Sequence, residues 1–174
     1  MSLAIDDFKA RLTGGGARAN LFRARINFPA FITNINTETV SFLCKTANLP
    51  ASNISEIAVP FRGRPMNLAG ERTFEPWSIT IINDTDFAIR NAFETWVDRM
   101  GNATQAAGEA NPNVYKVNMG VDQLDRGGQP IKSYEFIGVF PSAVAEISLG
   151  YEEEGIEEFE VTLQIDYFTS DTTT

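Results

Sequence analysis

The groups able to do chemistry in this 174-residue chain are twenty-three carboxylates, fourteen Lys and Arg, one cysteine and no histidine. Without imidazole there is no Ser-His-Asp or Cys-His nucleophile and no zinc site that depends on His. Cys44 has no partner for a disulfide or a thiolate cluster, and a lone thiol in an apolar stretch reads as a small buried hydrophobe. Paired carboxylates can run acid/base chemistry, but no spacing singles out a pair. Asn83, Thr85 and Glu94 fall on the first, third and twelfth positions of a calcium loop, yet Ala88 stands where its sharp turn needs glycine. Glu152, Glu153 and Glu154 read as a solvated acidic turn. The "GGGA" run from Gly14 lacks the lysine and spacing of a phosphate loop. The residues therefore name no catalytic, metal or cofactor site, and the chain is read as not an enzyme.

The charge has a different use. Residues 1–72 carry nine bases and five acids, and residues 73–174 carry five bases and eighteen acids. From Glu146 onward there are nine acids and no base. A net charge of −9 disfavours gripping nucleic acid, because that affinity comes from Lys and Arg releasing counterions. The aromatic-among-basic pattern of RNA-binding modules is absent too. A bipolar chain can instead pair with copies of itself, basic part against acidic part. Arg23 and Arg25 are expected to meet carboxylates such as Glu158 or Glu160, within the fold or across subunits.

Stepping along the chain gives the elements that must hold these charges. Residues 1–17 read as an arm, with a turn or two of helix in "DDFKARL" and a joint at Gly14 to Gly16. "NLFRARINF" alternates, with Phe22, Ala24, Ile26 and Phe28 inward. "ETVSFLCKT" reads as a second strand with Val40, Phe42 and Cys44 inward. "ISEIAVPF" is a short extended piece, and "TFEPWSITIIND" is the next strand. One strong helix follows, capped by Asp84 or Thr85 and ended by Gly101. Its apolar stripe is Ile89, Phe93, Trp96 and Met100. "VYKVNMGVDQL" and "IKSYEFIGVF" form a hairpin around "DRGGQP". "IEEFEVTLQIDYF" is the last strand, with Phe159, Val161, Leu163, Ile165 and Tyr167 inward and Glu158, Glu160, Thr162, Gln164 and Asp166 outward. Residues 169–174 read as a mobile polar tail. The sum is a mainly β domain over 18–168, a β-sandwich or small barrel with one flanking helix and long loops. No segment has the apolar length of a signal or membrane anchor, so an intracellular, soluble product is expected.

The connection from Asn48 to Arg72 is too long and too apolar for a plain surface loop. It carries Arg62, Arg64 and Arg72, whose planar forks suit carboxylate pairs, together with Met66, Asn67 and Leu68. Gly63 and Gly70 supply bends, and Pro65 restricts the backbone.

"ARANLFRARINF", "FLCKTANLPASNISEIAVPFRGRPMNLAGERTFEPWSITIINDTDFAIRNAFETW", "FIGVFPSAVAEISLGY" and "FEVTLQIDYF" resemble the tail tube proteins of contractile-tailed bacteriophages, over roughly Ala17 to Phe168. The resemblance implies hexameric rings whose sheets join around a central channel. Rings would stack into the inner tube of a virion tail, inside the sheath and between baseplate and terminator proteins. Phage DNA would pass through without specific binding. Assembly would occur in the host cytoplasm, with no membrane anchor and no cofactor. It also implies that Arg62, Arg64, Met66, Asn67, Leu68 and Arg72 contact neighbouring subunits or rings. The channel wall should then be neutral or negative, and the face bearing Glu160, Thr162, Gln164 and Asp166 is a candidate for it or for sheath contact. The alternatives are the inner tube of a phage-like contractile injection system and, in another class, a monomeric ligand-binding β-barrel. Exposed aromatic faces would favour the latter, whereas Trp77 and Trp96 read as core or interface.

Overall fold

The computed structural model describes residues 5–12, 16–33, 35–102, 108–152 and 154–173. The joint at Gly14 and Gly15 and the whole of Glu153 lie outside them. The elements in chain order are α1 (Ile5–Arg11), β1 (Phe22–Arg25), α2 (Thr37–Leu43), β2 (Cys44–Ala47), β3 (Ser52–Phe61), β4 (Arg64–Phe74), β5 (Trp77–Ile82), α3 (Ala88–Met100), α4 (Pro112–Tyr115), β6 (Val117–Leu124), β7 (Pro130–Val144), β8 (Glu158–Gln164) and β9 (Tyr167–Ser170). The protein is mainly β. Seven strands form one antiparallel sheet in the order β1-β6-β7-β8-β5-β2, with β9 also paired to β7, while β3 and β4 pair only with each other. The large sheet is open, ending on β1 and β2.

Strand β7 is long enough to serve two sets of partners. Its first part pairs with β6 and β9, and Phe140 to Val144 pair with β8. The β7 register runs from Phe140↔Gln164 to Ile137↔Tyr167 across the gap between β8 and β9. The single last strand expected from the sequence is thus two strands around a bend at Ile165 and Asp166. Gly138 sits opposite that bend with φ +68, and a Cβ there would collide with the Asp166 carboxylate. Lys116 Nζ holds the same carboxylate at 2.7 and 2.9 Å. The bend also changes which side chains turn inward. Phe159, Val161 and Leu163 are buried as expected, but Tyr167 is exposed. Phe168 takes the inner place, its ring against Phe74, Tyr134 and Phe136.

The core lies under the large sheet. Trp77 and Phe136 have ring centroids 4.5 Å apart, and α3 contributes Ile89, Phe93 and Trp96, all buried. Both tryptophans are fully enclosed with their indole N–H satisfied. Trp77 Nε1 donates to the Asn48 carbonyl at 2.7 Å and Trp96 Nε1 to that of Tyr115 at 2.9 Å. The turn at "DRGGQP" forms as expected, with Asp125 Oδ1 accepting from the amides of Gly127 and Gln129.

Several expectations are corrected. "ETVSFL" is helix α2, not strand; Asn36 caps it by accepting from the Glu38 amide at 2.9 Å. Val40, Leu43 and Cys44 have helical spacing while Val40, Phe42 and Cys44 alternate, so the run fits both periods, and the helix leaves Phe42 88% exposed rather than inward. The cap of α3 is Phe87, in a left-handed conformation, in place of Asp84 or Thr85. The expected tail from 169 begins inside β9, and Lys132 pairs with Asp171 beyond it. The flanking helix α3 is joined by three shorter helical segments among the described residues. No described helix is long and apolar enough to cross a membrane.

Candidate assembly surfaces

The stretch expected to be a loop is a long two-stranded hairpin, β3–β4, outside the large sheet. Its tip is a two-residue turn. Phe61 pairs with Arg64, while Arg62 (φ 47) and Gly63 (φ 82) take the positive φ values that a twist-matched hairpin turn needs. Pro60 lies opposite Pro65, tolerated because a ribbon without further strands asks for few ladder donors. A bulge between Ile54 and Glu56 offsets the strands. At that bulge Gly70 is required, since a Cβ would run into the Ser55 side chain.

Side chains alternate across such a ribbon, and the pairing sorts them. Ile57 opposite Leu68 and Val59 opposite Met66 continue to Phe61 opposite Arg64 on one face. Glu56–Ala69, Ala58–Asn67 and Pro60–Pro65 make the other. Among the described residues no other element covers this apolar face fully: Phe61 is 66% exposed, Met66 53% and Leu68 47%. Of the six residues expected at an interface, Arg64, Met66 and Leu68 share this face. Arg62 is at the tip and Asn67 on the opposite side, while Arg72 lies near the base, donating to Ser52 Oγ at 2.9 Å. Among the described residues none of the three arginines pairs with a carboxylate. The ion pairs are Arg25–Asp122, Lys45–Glu158, Arg90–Glu94, Arg99–Glu109, Lys116–Asp166 and Lys132–Asp171. The sequence had not shown that Ile57, Val59 and Phe61 join this surface; their alternation in "ISEIAVPF" carried the signal.

The acidic candidate face divides. Glu160 and Thr162 stand on β8 opposite Thr80 and Ser78 of β5, giving a polar open face in mid-sheet, with Gln164 at the strand end. Asp166 is off β8, tied to Lys116 at the bend. Arg25 pairs with Asp122 on the adjacent strand at 3.1 Å instead of with Glu158 or Glu160, and Lys45 takes Glu158. Glu94, the last residue of the calcium-loop spacing, lies within α3 and pairs with Arg90 at 2.8 Å. Cys44 is buried and free, and burial pushes its thiol up to about 12.

A hairpin with an exposed apolar face stands on an open, mainly β domain, with Arg62 and Arg64 at its tip and an acid-rich second half behind it. Residues 17–170 match the phage tail tube protein family, and the chain belongs to that family. It is 34% identical over 173 residues to tail tube protein gp19 of Enterobacteria phage T4, covering 94% of this chain and 98% of the relative. It is 28% identical over 148 residues to the tail tube protein of Serratia phage KSP90, covering 83% and 84%. The fold is shared with a chain of the anti-feeding prophage cap (TM-score 0.65, 16% identity, 89% and 90% covered). It is shared also with a chain of the sheath–tube complex of an extracellular contractile injection system (TM-score 0.55, 13% identity, 98% and 99% covered). The role is structural, that of a tail tube component.

Proposed function

We propose that this protein closes into hexameric rings that stack as the inner tube of a contractile virion tail, leaving a channel for DNA ejection. The observation that carries this is the β3–β4 hairpin. A two-stranded hairpin alone is at best marginal in water, and this one leaves its apolar face in solvent. Seating it on a neighbouring copy covers that face and brings Arg62 and Arg64 to the acidic second half of the chain. Helix α1 supports the same reading, with Ile5 and Phe8 exposed on a short helix ahead of the domain. The N-terminal arm is assigned to ring stacking and the outer surface to the sheath, with baseplate and terminator proteins at the ends and assembly in the host cytoplasm.

The channel wall is assigned to the open face of β8 and β5, with Ser78, Thr80, Glu160, Thr162 and Gln164. A neutral-to-acidic wall lets phosphates slide, whereas repeated arginines would hold them through counterion release. The phage relatives favour a virion tail over an injection-system tube, because the likeness to the latter is of fold alone. Negative-stain electron microscopy of the purified protein tests the proposal. Rings or tubes are expected; a monomer at every concentration would count for the stand-alone ligand-binding barrel.

A further inference from the structure

We infer that the described parts of the connection between β7 and β8, residues 145–152 and 154–157, are the socket that receives the β3–β4 hairpin of a second copy; this rests on the self-assembly reading above. β7 ends at Val144 and β8 begins at Glu158, and the described residues between them line an open cleft of about 690 Å³ with Ile147, Leu149, Tyr151 and Ile156 among others. Leu149 is 79% and Ile156 75% exposed, and Tyr151 is wholly so. Large apolar side chains gathered on one exposed connection mark an interaction site more than a solvated loop.

Their surroundings are acidic. Residues 145–158 hold six glutamates and no base. Among the described residues Glu158 is taken by Lys45 and Glu157 accepts from Asn83, while Glu146, Glu152 and Glu154 have no ion-pair partner. The hairpin carries the complement. Between residues 57 and 70 it holds Arg62 and Arg64 and no acid, beside Ile57, Val59, Met66 and Leu68. Each surface thus supplies half of one contact, an apolar centre rimmed by charge of opposite sign, and the rim charges fix orientation as much as affinity.

The test uses disulfide trapping, which buried Cys44 does not disturb. Two full-length variants, Met66→Cys and Ile156→Cys, are mixed under assembly conditions, oxidised, and read by non-reducing gel and by electron microscopy of the same sample. Both positions are exposed, so folding is not at risk. The expected result is a cross-linked heterodimer, absent from either variant oxidised alone, in samples that show rings or tubes. Rings or tubes without that cross-link would overturn the socket, leave the tube reading standing and assign the cleft to another occupant such as the sheath. Monomers alone in wild-type samples would overturn both. As a second readout, Glu152→Arg with Glu154→Arg should abolish assembly, and Arg62→Glu with Arg64→Glu in the same chain should restore it. Failure of that restoration, with each charge set still impairing assembly alone, would also overturn the pairing.

Discussion

At the residue scale, the bend between β8 and β9 depends on a glycine. Gly138 combines a left-handed φ with a carboxylate where its Cβ would stand, so Gly138→Ala should cost about 2 kcal/mol or more from backbone strain plus the collision. Urea unfolding measures this, and a cost within error of zero would show that Asp166 moves aside freely. Cys44 gives a second test. Burial disfavours its thiolate, raising it from the ordinary 9.0 to about 12. A raised folded value leaves stability untouched by this group below pH 9. Between there and about 12 the unfolded chain releases the proton first, so stability falls as pH rises. A thiol reagent at pH 8 should therefore label the native protein far more slowly than the denatured one; equal rates would place the sulfur in solvent. Neither Gly138 nor its carboxylate partner is marked in the sequence, because a positive φ follows from tertiary pairing.

Among the elements, the strands and α3 were legible because one face of each is buried and the periodicity survives: Trp77, Ile79 and Ile81 alternate, and Ile89, Phe93 and Trp96 follow the helical repeat. Three readings went astray for physical reasons. In α2 a short apolar run fits both periods, and the Asn36 cap decides it. In β8–β9 one alternating run hides a bend that exchanges Tyr167 for Phe168. In β3–β4 the two prolines and two glycines read as a loop, although Pro60 faces Pro65 and the glycines sit at the turn and beside the bulge. The residues expected at an interface came from charge, apolarity and the family resemblance, and that Arg64, Met66 and Leu68 of them share one face only appears with the register. Replacing Ile57, Met66 and Leu68 together by Ser should leave monomer stability nearly unchanged, since exposed positions away from special contacts shift it by about 0.5 kcal/mol or less. The same variant should lose assembly, as read by sedimentation. Loss of folding with assembly would instead make the hairpin part of the core.

For the whole molecule, acidity and assembly belong together. In the proposed tube, copies with a charge of −9 would not need to hold a polyanion, provided the residual bases are paired or placed at contacts. Introducing Thr80→Lys and Thr162→Lys on the open face of β5 and β8 should make assembled tubes retain double-stranded DNA fragments in a salt-dependent manner. Tubes that assemble and stay indifferent to DNA would place this face away from the channel. Deleting residues 1–13 should impair tube growth more than domain stability, because among the described residues the first buried core side chain is Ala24; unchanged polymerisation would remove the arm from ring stacking. The most direct measurement is a cryo-electron microscopy reconstruction of the assembled protein. Six-fold rings in which the hairpin spanning 52–74 buries Met66 and Leu68 against an adjoining copy are expected. A particle without annular packing, or rings whose hairpins meet only solvent, would contradict self-recognition through that ribbon.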